Sequence, residues 1–480
     1  MSTIAMPEPD TATLDRKSEI VAALESVAPG AVISEAVETR AYECDALTAY
    51  RCPPLAVVLP RTTEEVSAAM AVCHRLGVKV IPRGAGTSLA GGSLPTADSV
   101  VLSTARLNDV IDINTADRYV RVGSGITNLA VTRAVEDLEF FYAPDPSSQL
   151  ACAIAGNIAM NSGGAHCLKY GVTTNNLLGV TLVLSDGEVI ELGGPYADAS
   201  GYDLLGVICG SEGQFGIVTE AVLKILPQPE GARPVLVGFD SAETAGACVA
   251  GIIRSGVLPV AIEYMDRLCI SAVKAFSGAD YPDVEALLIV EVEGSPAEIE
   301  EQLEKVLKLA ASFEPVCLRE ASDTVEAAKI WAGRKSAFGA MGRIDDYMCL
   351  DGTVPVSALP YVLKRTAELS EQHGLECANV FHAGDGNMHP LILFNANTPG
   401  DLERAEAFGA EILKLCVEVG GCLSGEHGVG IEKRDLMTTQ FTPADLSAQM
   451  KVKDCFDPEW LLNPAKVFPL AVSEAHRRGE

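Results

Sequence analysis

Glycine-rich loops constrain this chain more than any other sequence feature. The segment PRGAGTSLAGGSLP (82–95) directly follows an apolar run, and two more Gly-, Ser- and Asn-rich stretches occupy residues 156–164 and 210–216. Glycine lets backbone N–H groups approach an anion closely, and successive N–H groups form a phosphate-sized nest. Taken alone, one such loop also fits a plain surface turn. Three of them in one region fit a long, folded ligand that carries a pyrophosphate and a polar ring.

The spacing of the first loop excludes two common nucleotide sites. It has neither the GxxxxGK[ST] pattern of nucleoside triphosphatases nor the GxGxxG opening of a Rossmann helix. The apolar runs LAVVLP (55–60) and VKVIP (78–82) predict strands, and TTEEVSAAMAVCHRLG (62–77) predicts the helix between them. Thr62 is a helix start signal and Gly77 a stop signal. The pattern therefore predicts a small strand–helix–strand unit, and the first loop follows its second strand.

The remaining pattern predicts an α+β fold. Residues 17–28 predict an opening helix, and Asp186-Gly187 between two apolar runs predicts a hairpin. PQPEGARP (227–234) is typical of a domain boundary. From about residue 235, strands such as LLIVEVEG alternate with helices such as SPAEIEEQLEKVLKLAASF, which indicates a layered α+β domain. The later elements are predicted as a helix at 358–373, a hairpin at 378–395 and a helix at 401–419.

Length and charge narrow the class of protein. At roughly 150 residues per domain, the 480 residues predict two or three domains. Lys and Arg number 36 against 65 Asp and Glu, a formal net charge of −29. Nucleic-acid binding needs a cationic surface, so this acidic balance argues against a polyanion as the principal ligand. A local basic pocket for a small anion stays open.

The cysteines and the N-terminus indicate a soluble, cytoplasmic protein. The 14 cysteines are scattered and form no CxxC pair, which argues against zinc ribbons and ferredoxin-type clusters. We expect reduced thiols instead. The first residues are polar and lack the apolar core of a signal peptide. Apolar runs such as LLGVTLVL fall short of the ~20 residues that cross a bilayer.

The segment HAGDGNMHP predicts a metal-binding hairpin. If Asp385-Gly386 forms a two-residue turn, His382 lies directly opposite His389, and their Cβ atoms are about 4.5–5.5 Å apart. Two imidazoles at that distance suit one metal ion. A structural pair of hydrogen-bonded histidines is the alternative. A third site, SGEHGVG, offers Glu426 as a carboxylate ligand with the acid–base candidate His427 beside it. No HExxH motif is present, which disfavours a metalloprotease.

Seven motifs together resemble a known flavoprotein family. They are PRGAGTSLAGG, APDPSSQ, CGSEGQFGIVTE, WAGRKSAF, NVFHAGDGNMHPLILF, SGEHGVG and LLNPAKVFP. This combination is similar to the FAD-linked 2-hydroxyacid dehydrogenases of the vanillyl-alcohol oxidase superfamily, which include the FAD-linked subunits of bacterial glycolate oxidases and D-lactate dehydrogenases. The likeness runs from about residue 40 to 470. The histidine motifs are the specific ones, since the glycine loops are shared across the superfamily.

The resemblance implies a two-part FAD-binding domain and a substrate domain. We expect a helical lead at 1–45, the FAD-binding domain at 46–230, an α+β substrate or cap domain with the metal-binding hairpin at 231–425, and a C-terminal segment at 426–480 that returns to the flavin. Covalently flavinylated relatives carry histidine in the first loop, where Thr87 stands here. The FAD is therefore expected to be non-covalent.

The family's functional residues transfer to matching positions. The first loop is expected to hold the pyrophosphate, and the other segments to surround the ribityl chain and isoalloxazine ring. The expected FAD-binding residues are Arg83, Gly84, Ala85, Gly86, Thr87, Ser88, Pro144, Asp145, Ser147, Ser148, Gly156, Asn157, Asn161, Gly163, Gly164, Gly210, Glu212, Gly213, Gly216, Ile217 and Asn463. His382, His389 and Glu426 match the ligands of a divalent metal, zinc or else manganese or iron. His427 matches the catalytic base and Arg334 a binder of the substrate carboxylate.

These roles imply oxidation of a small 2-hydroxy acid: glycolate to glyoxylate, and also D-lactate to pyruvate. The planar guanidinium of Arg334 suits a carboxylate, although a surface ion pair is its plain alternative. Some relatives with larger substrates carry a lysine near the position of Cys349, so its absence implies a small substrate. A dedicated D-lactate dehydrogenase is the nearest alternative. A metal-dependent hydrolase and a flavin subunit that only relays electrons are the others.

Electrons must leave the flavin for an acceptor outside this chain, because the chain has no cluster-binding cysteine pattern. The resemblance implies an FAD-type and an iron–sulfur partner subunit of a glycolate oxidase complex. Quinone is then the indirect acceptor. The protein would be cytoplasmic, or peripheral at the inner membrane through those subunits.

Overall fold

The computed structural model describes residues 4–196 and 201–479. The chain divides into two compact units. The loop unit comprises Ile4–Gly163, Val172–Gln228 and Glu426–Glu480, and the sheet unit comprises Gly164–Gly171 and Pro229–Gly425. That one unit binds FAD and the other the substrate stays a prediction.

The two units differ in the number of their strands. Those of the loop unit are β1 (Val32–Ile33), β2 (Ala56–Val58), β3 (Lys79–Arg83), β4 (Ser99–Ser103), β5 (Val110–Asn114), β6 (Tyr119–Gly123), β7 (Phe140–Phe141), β8 (Leu177–Val183), β9 (Val189–Gly193), β10 (Ile217–Lys224) and β11 (Leu226–Pro227). Those of the sheet unit are β12 (Gly231–Phe239), β13 (Ala261–Asp266), β14 (Ala286–Gly294), β15 (Cys317–Glu320), β16 (Asp346–Cys349), β17 (Cys377–His382) and β18 (Pro390–Phe394).

Helices of both units follow in chain order. They are α1 (Thr11–Asp15), α2 (Lys17–Val27), α3 (Ala36–Thr39), α4 (Thr63–Leu76), α5 (Asn128–Val135), α6 (Ile154–Met160), α7 (Cys167–Tyr170), α8 (Thr173–Asn176), α9 (Leu204–Ile208), α10 (Ala242–Arg254), α11 (Arg267–Ser277), α12 (Pro296–Ala311), α13 (Thr324–Lys335), α14 (Ala337–Met341), α15 (Leu359–His373), α16 (Asp401–Glu418), α17 (Met437–Gln440), α18 (Pro443–Phe456) and α19 (Leu470–Arg478). Short 3-10 turns cover Arg40–Tyr42, Glu136–Leu138, Val356–Ala358 and Arg434–Leu436.

The loop unit is built on two main sheets. One has the order β1-β2-β4-β3, with β2 and β3 parallel to β4, and α2 and α4 pack on its core through Leu24, Met70 and Val100. The other is the antiparallel sheet β5-β6-β10-β8-β9, whose core includes Ile158 of α6 and Leu182 of β8. The first glycine loop therefore starts at the carboxyl end of a parallel strand, where α/β proteins commonly bind ligands.

The predicted helix after the first strand is confirmed. Its start is fixed by Thr62, whose Oγ1 accepts a hydrogen bond from Glu65 N at 3.2 Å. Its end is Gly77, in the left-handed conformation (φ 65°). The predicted Asp186-Gly187 hairpin is also confirmed, because β8 and β9 pair Val183 with Val189.

The sheet unit is an antiparallel layer with the order β15-β12-β14-β13-β17-β18-β16. Its interior strand β14, between β12 and β13, is buried along nearly its whole length, as the continuous apolar run LLIV requires. Helices α10, α12, α15 and α16 bear amphipathic patterns whose apolar sides are buried. The predicted α+β fold is confirmed. In the part of the chain that the structure describes, no helix is long and apolar enough to cross a membrane.

The cap of α4 generates a stability prediction. We expect Thr62→Ala to lower the free energy of unfolding by about 1 kcal/mol, because Glu65 N loses its hydrogen-bond acceptor. Thr127→Ala is the matched control, since Thr127 precedes α5 without a side-chain capping bond. Chemical denaturation of both variants measures the difference. Equal losses would show that the Thr62 bond contributes nothing specific.

Candidate functional site

Arg83, at the start of the first glycine loop, is fixed by contacts with residues that precede the loop in sequence. The Arg83 Nη1 donates to the Cys44 carbonyl at 2.9 Å, and the guanidinium lies 5.6 Å from the centre of the Tyr42 ring. Gly86 has φ 74°, and a Cβ there would lie 2.1 Å from Arg83 Nη2. This position therefore requires glycine. Ser88 Oγ accepts from Gly92 N at 3.1 Å and closes the turn.

The second group of predicted flavin residues lies against the first loop. A Cβ on Gly84 would lie 3.3 Å from Gly156 N in α6, whereas a Cβ on Gly156 would meet no atom within 4 Å. Asn128 Nδ2 donates to the Pro144 carbonyl at 3.0 Å and to Asn157 Oδ1 at 3.2 Å. The structure thus joins the segments at 84, 144 and 156–157 and leaves open space at Gly156, which suits an approaching ligand.

The third loop is fastened through Glu212. Its buried carboxylate accepts from Val429 N at 2.6 Å and from Gly430 N at 2.7 Å, and Glu212 N donates to the Ala159 carbonyl at 2.7 Å. Burial raises the pKa of Glu212, and the two amide bonds oppose that rise. The Glu212 carboxylate thus connects this loop to the segment after His427. Contact of Glu212 with FAD stays a prediction.

Asn463 joins the first and third loops. Its Nδ2 donates to the Gly92 carbonyl at 2.9 Å and to the Glu212 carbonyl at 2.6 Å, and Gln214 Nε2 donates to the Asn463 carbonyl at 2.8 Å. Gly213 has φ 70° and packs beside Pro82 and Asn463. The C-terminal segment therefore forms part of the glycine-loop cluster.

The other predicted flavin residues have mixed surroundings. Asn161 ends α6 at φ 52° and accepts from Thr174 N at 2.9 Å. Gly163 N donates to Glu426 Oε2 at 2.9 Å. Gly216 and Ile217 are buried where β10 begins, and Gly164 belongs to the sheet unit. The remaining predicted residues are exposed or half-buried: Ala85, Thr87, Asp145, Ser147, Ser148 and Gly210, the first residue of the third loop.

The sheet unit holds a row of three ionisable side chains on β13, β17 and α13. Glu263 is 1% exposed; its Oε1 lies 2.7 Å from His382 Nδ1 and its Oε2 lies 2.6 Å from Arg334 Nη2. Burial alone would raise the pKa of Glu263, but the His382 imidazole and the Arg334 guanidinium outweigh it and the pKa is lowered. Glu263 is thus an anion that orients a predicted metal ligand and a predicted substrate binder.

Arg334 keeps donor capacity beyond this ion pair. It is 5% exposed, and its Nε is buried with no hydrogen-bond partner among the described residues. A buried guanidinium N–H without an acceptor is costly, which suits a position that awaits a carboxylate.

The predicted pairing within the histidine hairpin is wrong. β17 and β18 pair Asn379 with Pro390, and a bridge pairs His382 with Asn387 rather than with His389. Residues 383–386 form a longer connection than the predicted two-residue turn. A register shift of two residues keeps side chains on the same face. The two imidazoles accordingly stay close, with ring centres 5.3 Å apart and planes at 89°.

The donor set in the sheet unit fits a divalent metal. His382 Nδ1 contacts the Glu263 carboxylate, and His389 Nδ1 lies 3.2 Å from the Leu350 carbonyl. Both acceptors favour the tautomer whose lone pair is on Nε2, the usual arrangement of metal-binding histidines. A ligand atom of His389 lies within 4.8 Å of the Cys349 Sγ and of an Asp351 carboxylate oxygen. Glu426 and His427 belong to the loop unit.

Sequence reasoning missed Glu263 and Asp351. Glu263 interrupts the apolar strand AIEYMD, and a charged residue within a buried strand is a signal of a paired or functional group. Asp351 is fully buried and accepts from Ser424 Oγ at 2.5 Å and Gly425 N at 3.0 Å. It follows a buried strand in LDGTVP, where a carboxylate also stands out.

Two family profiles match the chain. Residues 54–193 match the FAD binding domain, and residues 228–467 match the C-terminal domain of FAD linked oxidases.

Curated relatives cover nearly the whole chain. Glycolate oxidase subunit GlcD of Escherichia coli (strain K12) is 50% identical over 458 residues, covering 95% of this chain and 92% of that protein. D-lactate dehydrogenase of Archaeoglobus fulgidus is 31% identical, covering 86% and 90%. Among solved structures, 4-ethylphenol oxidase from Gulosibacter chungangensis has a TM-score of 0.81 at 16% identity, covering 98% of this chain and 100% of that one.

The open space at Gly156 generates the next prediction. Gly156→Ala should leave the flavin-free protein as stable or more stable, because alanine is the better helix former and its Cβ meets no atom. FAD affinity should fall, since the methyl group occupies the approach to the backbone. Gly125→Ala is the contrast, because its Cβ would lie 2.0 Å from the Thr104 carbonyl oxygen and should destabilise the fold. Thermal unfolding and FAD titration measure both effects. Unchanged FAD affinity in Gly156→Ala would remove this helix from the flavin site.

Proposed function

Since this chain belongs to the FAD-linked oxidases, we propose that it oxidises a small 2-hydroxy acid with non-covalent FAD, converting glycolate to glyoxylate and D-lactate to pyruvate. The chain is an oxidoreductase with an FAD-binding domain. The choice of substrate is supported by the relatives named as a glycolate oxidase subunit and a D-lactate dehydrogenase.

The cluster of glycine loops suits FAD. Gly84 and Gly86 bring backbone N–H groups close to a pyrophosphate, and Gly156 leaves room beside the first loop. Thr87 offers no histidine for covalent attachment. When bound, FAD supplies the acceptor for the hydride that leaves the substrate Cα.

The observation that carries the proposal is the buried row Arg334–Glu263–His382. A 2-hydroxy acid presents a carboxylate beside a hydroxyl. Arg334, with an unpartnered buried Nε, is the donor for the carboxylate, and Glu263 keeps the guanidinium in place at 2.6 Å. His382, held by the same carboxylate at 2.7 Å, is assigned to the hydroxyl end of the substrate. One buried anion thus orients the groups for both ends of the substrate.

The proton and metal roles complete the proposal. We assign His382, His389 and Glu426 as ligands of a divalent cation, with zinc, manganese or iron as candidates. Such a cation supplies Lewis-acid polarisation of the substrate hydroxyl. A nitrogen of His427 accepts the hydroxyl proton. Per turnover, the substrate loses one hydride and one proton.

Other subunits are proposed as electron acceptors. The relative with the higher identity is named as a subunit of glycolate oxidase, which supports an assembly with further subunits. We propose an FAD-type and an iron–sulfur partner, with quinone as the final acceptor and peripheral attachment to the inner membrane through those partners.

A dedicated D-lactate dehydrogenase is the second candidate. It is favoured by the 31% identity to a protein of that name over most of both chains. The two candidates differ only in which acid reduces the flavin faster, so one measurement separates them.

Anaerobic reduction of the bound flavin tests the function. The purified protein should show a flavin absorption spectrum that bleaches on adding glycolate, and more slowly with D-lactate. Reduction by D-lactate alone would establish the second candidate. A flavin spectrum that neither acid bleaches would overturn the proposal. Absence of flavin would favour the alternative of a metal-dependent hydrolase.

Arg334→Lys sharpens the same experiment. Lysine keeps the positive charge beside Glu263 but loses the planar fork, so the substrate concentration for half-maximal bleaching should rise by roughly 10- to 100-fold. Arg319→Lys, at a half-buried arginine of the same unit paired with Asp280, is the control and should behave as wild type. Equal behaviour of the two variants would remove Arg334 from substrate binding.

A pair of neighbouring variants separates the metal from the proton acceptor. His427→Ala should retain metal and FAD but reduce its flavin about 10²- to 10⁴-fold more slowly, because the general base is lost. Glu426→Ala should lower metal content and recover partly with excess divalent cation. Metal analysis, flavin occupancy and single-turnover reduction measure these effects. Loss of metal in His427→Ala but not in Glu426→Ala would reverse the two roles.

A further inference from the structure

Lys466 is a buried lysine that no role described above uses. Its side chain is 2% exposed, and its Nζ has no hydrogen-bond partner within the described ranges 4–196 and 201–479. Taking an ammonium out of water without an acceptor is among the costliest arrangements in a protein. Such a group is expected only where a bound ligand supplies the missing hydrogen-bond acceptor.

Nearby acids do not satisfy Lys466. Asp45 and Glu212 attract it electrostatically, but both use their carboxylates elsewhere. Asp45 accepts from Leu47 N at 3.0 Å and from Ser93 N at 3.1 Å, while Glu212 accepts from the amides of residues 429 and 430. Lys466 therefore lies beside the first and third glycine loops without bonding to the acids that hold them.

The backbone around Lys466 is strained. Asn463, Ala465 and Val467 have φ of 42°, 64° and 68°, a left-handed conformation that asparagine tolerates but that is uncommon for alanine and a clear outlier for the β-branched Val467. Strain of this kind clusters at ligand-binding segments. The segment is pinned from both sides, since the fully buried Arg434 donates through Nη1 to the Ala465 carbonyl at 2.8 Å and Val467 N donates to Gly430 O at 2.9 Å.

We propose that Lys466 is a flavin-binding residue whose ammonium contacts an anionic part of FAD, either its pyrophosphate or the pyrimidine edge of its isoalloxazine ring. This inference rests on the proposed use of FAD and adds to it the buried cation that neutralises the cofactor's charge. The supporting observations are the unpartnered Nζ, the strained segment that presents it and the glycine loops beside it.

The test separates a ligand contact from a structural role by the sign of two effects. Lys466→Met removes an unpaired buried charge, so the flavin-free full-length protein should unfold at a higher temperature. Its FAD affinity should fall roughly 10- to 100-fold, the effect of losing one charge-assisted hydrogen bond. Lys466→Arg should recover part of that affinity. Titration of the flavin-free protein with FAD and thermal unfolding with and without FAD measure these quantities.

Lys453→Met is the matched control. Lys453 is equally buried but fully bonded, with Nζ donating to Asp457 Oδ2 at 2.9 Å, Gln214 O at 3.0 Å and Leu462 O at 3.1 Å. Its loss should lower the unfolding temperature of the flavin-free protein and change FAD affinity far less. Lowered stability in Lys466→Met with FAD affinity unchanged would give Lys466 a structural role and overturn the inference.

The flavin midpoint potential distinguishes the two anionic groups. If Lys466 contacts the pyrophosphate, its loss weakens the binding of oxidised and reduced FAD equally, so the potential of Lys466→Met stays at the wild-type value while affinity falls. If Lys466 contacts the isoalloxazine edge, it stabilises the anionic reduced ring, so the potential of Lys466→Met becomes more negative than that of the wild-type protein. Either result with weakened binding supports the inference. Failure of the wild-type protein to bind FAD would instead overturn the proposed function.

The pH dependence of FAD binding gives an independent readout. Burial lowers the pKa of Lys466 to about 7, with Asp45 and Glu212 acting to raise it and Arg434 to lower it. Binding an anion requires the charged form, so wild-type FAD affinity should fall as pH rises above about 7. Lys466→Met retains the other three groups and should lose this added slope. Identical pH profiles would contradict the contact.

Discussion

Asn463 connects parts of the chain that lie far apart in sequence, and the glycine-loop cluster depends on it. Its amide donates to carbonyls 371 and 251 positions away, and its own carbonyl accepts from Gln214. Glycine loops have little side-chain packing of their own, so hydrogen bonds from outside must set their positions. Glu212 serves the same purpose by accepting two amides of the segment after His427. The positions of the loops in the glycine-loop cluster are thus set by buried polar groups rather than by the glycines.

A buried anion plays the corresponding part in the sheet unit. Glu263 is paired on one side with Arg334 and on the other with His382, and these partners keep it ionised against the cost of burial. Removing one partner would leave an uncompensated charge, so the three side chains hold one another in a fixed geometry. Such mutual fixation suits the proposed roles of Arg334 in binding a carboxylate and of His382 in binding a metal.

The chain illustrates how one fold carries different chemistry. Its fold is of the vanillyl-alcohol oxidase type, shared with 4-ethylphenol oxidase at a TM-score of 0.81 despite 16% identity. Phenols carry no carboxylate, and the fold alone therefore says little about the substrate. The Arg334–Glu263–His382 row is built from side chains on β13, β17 and α13. The proposed specificity follows from these residues and not from the architecture around them.

The sequence by itself determined the local elements and the family to which the chain belongs. Helix α4 with its Thr62 cap and the Asp186-Gly187 hairpin depend on interactions between near neighbours, so a local pattern predicts them. Tertiary structure decided the register of the histidine hairpin, where the longer connection at 383–386 replaced the predicted two-residue turn. It also decided the pairing of Glu263 and the burial of Lys466. Those features depend on contacts between residues distant along the chain, and a sequence pattern carries no information on which distant partner a buried charge will find.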